Sequence, residues 1–124
     1  MLCIAAMGLF TSCSKDNDVL IVGKWKCTVC TYTVTDLSTN EMEQEDDEST
    51  VGMIIEFTSD GKMISSETTS SYTVSGNELT ISYGGREEYK YDIKKLTNSK
   101  LIISSEFEEN QHYRYTEKLE FERM

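Results

Sequence analysis

The sequence contains no proline, a single histidine and only 12 basic residues against 22 acidic ones. It also lacks any apolar run long enough to cross a bilayer as a helix. One histidine excludes a His-rich metal cage. The shortage of Lys and Arg leaves a formal net charge of −10 and a pI near 4.5. That balance excludes a nucleic-acid binder, which needs a basic face for phosphates, and a polybasic patch docking onto anionic lipid. At 124 residues there is room for one domain. Hydrophobic residues make up 38%, low for a globular domain but above the composition of disorder. With proline absent and Tyr, Thr, Ser, Ile and Val plentiful, the propensity is for sheet.

What is present begins with an address. Residues 2–10 form an apolar run with the length of a signal-peptide h-region, followed by Thr11-Ser12-Cys13. Small residues leading into a cysteine resemble the lipobox of bacterial lipoproteins, whose cysteine is lipidated and becomes the first residue of the mature chain. The resemblance implies a lipoprotein signal peptide over 1–12, lipidation at Cys13 and a lipidated tether over 13–22. Ser14-Lys15-Asp16-Asn17-Asp18 is similar to the export signal of surface lipoproteins in Bacteroidota. It implies a chain held to the outer membrane or cell surface by its lipid.

From Gly23 onward the pattern has period two. It predicts eight strands, at about 23–35, 51–58, 62–69, 71–75, 78–83, 86–96, 100–107 and 111–123. The breaks are Ser59-Asp60-Gly61, Ser75-Gly76-Asn77, Gly84-Gly85 and Thr97-Asn98-Ser99, each with Gly or Asn where a tight hairpin needs positive φ. Short turns make consecutive strands antiparallel neighbours, a meander. Tyr113, Tyr115, Leu119 and Phe121 share one face of the last strand, and every strand has one dry and one wet face. The pattern fits an eight-stranded antiparallel up-and-down barrel, with an immunoglobulin-like β-sandwich as the alternative. One register stays open: Phe57 pairs with Ile64 across a two-residue turn or with Met63 across a three-residue loop. The segment 36–50 lacks alternation. It carries Asp36, Glu41, Glu43, Glu45, Asp46, Asp47 and Glu48 without Lys or Arg, and reads as a solvated loop.

Gly23-x-Trp25 at the start of a meander resembles the lipocalin and calycin family. The compact lipocalin-like domains of Bacteroidota lipoproteins are more similar still, through Ile55-Glu56-Phe57-Thr58-Ser59-Asp60-Gly61 and Val74-Ser75-Gly76-Asn77-Glu78-Leu79-Thr80-Ile81. The resemblance implies a lipocalin-like domain over 23–124, with Gly23, Trp25 and Arg123 as the structural motif at the closed end. Closure of the meander independently brings the start of the first strand to the end of the last, where Arg123 can cover the Trp25 indole. In lipocalins the first interstrand loop covers the mouth, which would make 36–50 a lid or an acidic rim.

Cys27-Thr28-Val29-Cys30 is a CxxC on a strand, without the helix N-terminus of a redox motif or the second ligand pair of a zinc site. Strand parity places Cys27 inside and Cys30 outside, too far apart for a disulfide unless the strand bulges. His112 falls on the outward parity. The acidic segment has oxygens for calcium but neither the glycine nor the spacing of a calcium loop. No nucleophile–base–acid set can be assembled, so no enzyme activity, metal or cofactor is expected. Glu117, between Tyr115 and Leu119, is an inward carboxylate and marks a ligand contact, a wet cavity or a bulge. A small apolar ligand would meet Tyr83, Tyr89, Tyr113 and Glu117 at the mouth, unless the aromatic residues fill the interior. The alternative function is a protein-interaction module whose acidic loop engages a cationic partner, inhibitor-like. The chain is expected to be monomeric.

Overall fold

The computed structural model describes residues 16–66, 68–84 and 87–124. The expected signal peptide 1–12 and Cys13 lie outside the described residues, as does Gly85 of the Gly84-Gly85 turn. A one-turn helix, α1 (Asn17–Leu20), precedes nine strands: β1 (Gly23–Asp36), β2 (Met42–Asp46), β3 (Ile54–Phe57), β4 (Lys62–Ile64), β5 (Thr69–Ser75), β6 (Glu78–Tyr83), β7 (Glu87–Leu96), β8 (Lys100–Glu109) and β9 (Tyr113–Arg123). All pairings are antiparallel and follow the meander, with β1 closing onto β9 from Trp25↔Arg123 to Asp36↔Tyr113. That closing ladder makes the fold a barrel and excludes the sandwich.

The nine strands make eight staves. One edge of β1 is taken by β3 over residues 23–26 and by β2 over residues 31–35, so β2 and β3 form a single stave interrupted by turns. This corrects the reading of 36–50 as a solvated loop. β1 runs 14 residues and leaves backbone N–H and C=O groups along its outer half. Their need for partners overrides the poor strand propensity of Met42-Glu43-Gln44-Glu45-Asp46. Asp36 and Asp47 bracket β2 with side-chain turns. Asp36 Oδ1 accepts from Ser38 N at 2.9 Å and Oγ at 2.7 Å, and Asp47 Oδ1 accepts from Ser49 N at 3.0 Å and Oγ at 2.5 Å.

A second correction concerns parity in β1. A bulge between Cys27 and Val29 inserts an extra residue opposite β9, so Cys27 faces Phe121 while Cys30 faces Leu119. Both thiols are therefore inside and fully buried, and both are free. Every later residue of β1 changes face with Cys30. Elsewhere the open register resolves as Phe57↔Met63, across a three-residue loop with Gly61 at φ +88°. Gly76, the first residue of the two-residue β5–β6 loop, takes φ +60°.

The core fills one end of the barrel. Trp25, Phe57, Leu79, Leu101 and Phe121 are fully buried, and each such side chain contributes roughly 1.5–3 kcal/mol relative to exposure. Tyr72 packs edge-on against Phe57 at 4.8 Å and donates to Thr58 O at 2.7 Å. The second half of 13–22 differs from the expected tether. Ile21 is completely buried beneath the barrel, and Asn17 Nδ2 donates to Gly76 O at 2.9 Å, fastening α1 to the β5–β6 turn. An apolar side chain at 21 stops that end against water, which a solvated tether would not do.

Candidate functional site

The end stopped by Ile21 is also locked by polar contacts. Arg123 lies over the Trp25 ring, 4.2 Å from its centroid. It donates to Val22 O at 2.8 Å, to Leu20 O at 2.5 Å and to Asn98 O at 2.5 Å. Trp25 Nε1 donates to Ile21 O at 2.8 Å. Gly23 sits at φ +137°, and a Cβ there would collide with Arg123 Nη1. Gly23, Trp25 and Arg123 are thus one device in which glycine leaves room for the guanidinium. The indole is fully buried in it, and Gly23 and Arg123 form its partly exposed outer side.

The opposite end is built differently. Beyond Asp92↔Ser104, β7 and β8 part company: β7 continues with β6 to the Tyr83↔Glu87 pair, whereas β8 continues with β9 to Glu109↔Tyr113. β2 likewise pairs with β1 alone. The barrel therefore splays into a mouth whose inward faces carry Tyr32, Tyr83, Tyr89, Tyr91, Phe107 and Glu117. Four of the aromatic side chains are inward and yet wet, Tyr32 and Tyr83 at 38%, Tyr89 at 46% and Phe107 at 60% exposed, while Tyr91 packs against the core. Tyr83 and Tyr89 meet edge to face at 5.3 Å, and Phe107 stacks on Tyr115 at 5.0 Å. A hollow of about 490 Å³ beside them is lined by Tyr32, Val34, Glu43, Gln44 and Glu45.

Glu117 is the electrostatic centre of the mouth. Its Oε2 accepts from the Tyr32 hydroxyl at 2.6 Å, and that bond, more than burial, pushes the Tyr32 phenol above its ordinary range. Burial first and the Glu117 charge second raise Tyr83, and push Tyr91 up to about 12 and Cys30 up to about 11. The carboxylate thus acts at once on side chains of β1, β6 and β7. Burial keeps both thiols protonated, and Glu117 and Asp47 add to the effect.

Of the residues expected at the mouth, the structure brings Tyr83 and Tyr89 into contact and places Glu117 where its charge acts on Tyr83. Tyr113 shares their inward parity but opens β9 opposite Asp36 and Glu109, about 13 Å along the strand from Glu117 at ~3.3 Å per residue. Tyr32 was hidden from the sequence by the β1 bulge, which reverses the parity expected from Trp25; two cysteines needing one face are the signal that could have shown it. Tyr91 and Phe107, both legible as inward, also belong to the mouth. His112 is exposed at the β9 end. Among the described residues no three His, Cys, Asp or Glu side chains converge as metal ligands. What the mouth offers is aromatic faces around the Glu117 carboxylate, next to a hollow carrying Glu43 and Glu45.

Comparison with known proteins agrees with this architecture. No curated protein matches the chain. The family model of the lipocalin-like domain matches residues 21–103, about two thirds of the chain, from Ile21 at the closed end into β8. The barrel with its GxW closure and the extent of this match together place the chain in the lipocalin-like domain family.

Proposed function

We propose that this protein is a lipid-anchored binding module of a Gram-negative envelope, of the kind carried by Bacteroidota lipoproteins. Lipid on Cys13 holds it to the outer membrane or cell surface, and the open end of the barrel captures a small molecule without chemistry, one chain acting alone. The observation that carries this reading is the set of inward aromatic side chains left solvated at one end while the other end is filled. Small-molecule sites are concave and lined by aromatic side chains around a few placed polar groups, which is the make-up of this end. The lipobox-like Thr11-Ser12-Cys13 supports the anchor.

Titration with the neutral fluorescent probe N-phenyl-1-naphthylamine tests the capture. Saturable emission enhancement that Tyr83→Ala weakens at least tenfold is expected, and a wild-type protein without enhancement overturns the reading. For the anchor, fatty-acid labelling that Cys13→Ser abolishes is expected, and equal labelling of both forms overturns it.

One observation favours a second reading, a module for a cationic protein. β2 is an edge strand whose five residues, Met42-Glu43-Gln44-Glu45-Asp46, are all exposed and mostly acidic. A basic partner steered there would weaken steeply with ionic strength, whereas an apolar ligand in the mouth would not.

A further inference from the structure

We infer that the open end selects an organic cation, a protonated or quaternary amine carried on an aromatic or apolar body, with Glu117 as its counter-charge and Tyr32, Tyr83, Tyr89 and Tyr91 as its walls. The inference deepens the proposal that the open end binds a small molecule, and rests on it. Three observations point the same way. Glu117 faces inward, and among the described residues no cation lies within ion-pair reach of it. The basic side chains nearest along the sheet are turned outward, Arg114 to Glu106 and Glu108, and Lys118 to Glu120. The only hydrogen bond to its carboxylate among the described residues comes from Tyr32, on Oε2. Glu43 and Glu45, which pair with Val34 and Tyr32 on the same inward face, add negative charge to the adjoining hollow.

The neighbouring groups favour a cation over its alternatives. Aromatic faces carry negative potential and attract ammonium groups, most strongly where water is thin. A neutral apolar guest would strip water from Glu117 without replacing it. An anion would meet Glu117, Glu43 and Glu45 together. Ser70 adds a separate sign. Its Oγ is buried, 5% exposed, and has no hydrogen-bond partner, on the inward face of β5 one ladder step beyond Ser71↔Ser82 towards Tyr83. A lone buried hydroxyl beside the tyrosine walls is a ready acceptor for an N–H donor.

Three probes with one indole body and different charge separate the possibilities: tryptamine, tryptophol and indole-3-acetate, each titrated by calorimetry. Tryptamine is expected to bind at least tenfold more tightly than tryptophol, with indole-3-acetate weakest. Glu117→Gln should erase the tryptamine advantage while leaving tryptophol affinity within about threefold. Tyr32→Phe, which keeps the ring and frees Oε2, should preserve or increase the advantage and guards against a folding defect in the first variant. Equal affinity for tryptamine and tryptophol overturns the cation inference but leaves the binding mouth standing. A tryptamine advantage that survives Glu117→Gln also overturns it, by removing Glu117 as counter-charge. If none of the three binds, this inference falls, and the binding reading is decided by the N-phenyl-1-naphthylamine titration alone.

Discussion

Trp25 and Tyr83 both point into the same barrel, one fully buried under Arg123 and the other 38% exposed beside Tyr89. Around Trp25 the polar groups are matched with one another. The indole N–H reaches Ile21 O, and the guanidinium reaches three carbonyls. Around Tyr83 the polar groups are matched incompletely, with the inward Glu117 carboxylate facing no cation among the described residues. Buried polar groups that are fully paired specify one structure, and those left short of partners are kept where something else completes them. On the function proposed above, the closed end carries stability and the open end recognition.

The largest effect that can break this contrast is in folding stability. Trp25→Ala should cost on the order of 3–5 kcal/mol, because it empties the core beside Phe121 and uncovers the Arg123 stack. Tyr83→Ala should cost no more than about 1.5 kcal/mol, the scale of one solvated aromatic pair. Chemical denaturation of the two variants measures the difference directly. Near-equal losses would mean that the open end is as much a core as the closed end, and that its aromatics are there for packing.

How much of this was legible follows the same division. Hairpin rhythm, turn glycines and the Gly23-x-Trp25 start were readable because the closed end is made of short, regular, locally encoded elements. The meander and its barrel closure followed from them. The open end depends on two departures from regularity. The bulge at Thr28, where Thr28 Oγ1 turns to Glu120 O, exchanges the faces of β1, and the pair Cys27 and Cys30 is the one residue-type hint of it. The pairing of β2 is dictated by the vacant edge of β1, a tertiary demand that overrides local propensity. Glu117 was legible as an inward carboxylate, but its Tyr32 partner was not, since it stands on the far side of that bulge. Ile21 was missed for another reason. It lies in the unbroken apolar run Val19-Leu20-Ile21-Val22, which has no period to say which side chain is buried.

The smallest expected effects lie in the acidic segment, where carboxylates of like appearance do different work. Asp36 and Asp47 hold the turns at either end of β2, and hydrogen bonds from Ser38 and from Ser49 keep both below the usual 3.8. Glu43 and Glu45 stand exposed on β2 with no turn to hold. Replacing Glu43 and Glu45 by Gln should leave the melting temperature unchanged or slightly raised, as repulsion in a chain of net charge −10 is relieved. A fall of ~5 °C or more, equivalent to roughly 1 kcal/mol, would show that they are engaged by the barrel. For Asp36 and Asp47 the sign runs the other way. A carboxylate with a depressed pKa in the folded state contributes above its unfolded value, and the contribution is lost as pH falls through the folded one. Acidification from pH 4 downward should therefore loosen the β2 turns while the closed end, which holds no carboxylate in its locking contacts, stays intact. Carbon-detected NMR should give Asp36 and Asp47 carboxyl midpoints below 3.8, with the Ser38 and Ser49 amides moving at the same midpoints. Asp47→Asn should remove the Ser49 response and leave that of Ser38. Midpoints at or above 3.8 would mean that the turns are held by the backbone alone, and that β2 is anchored by its ladder with β1.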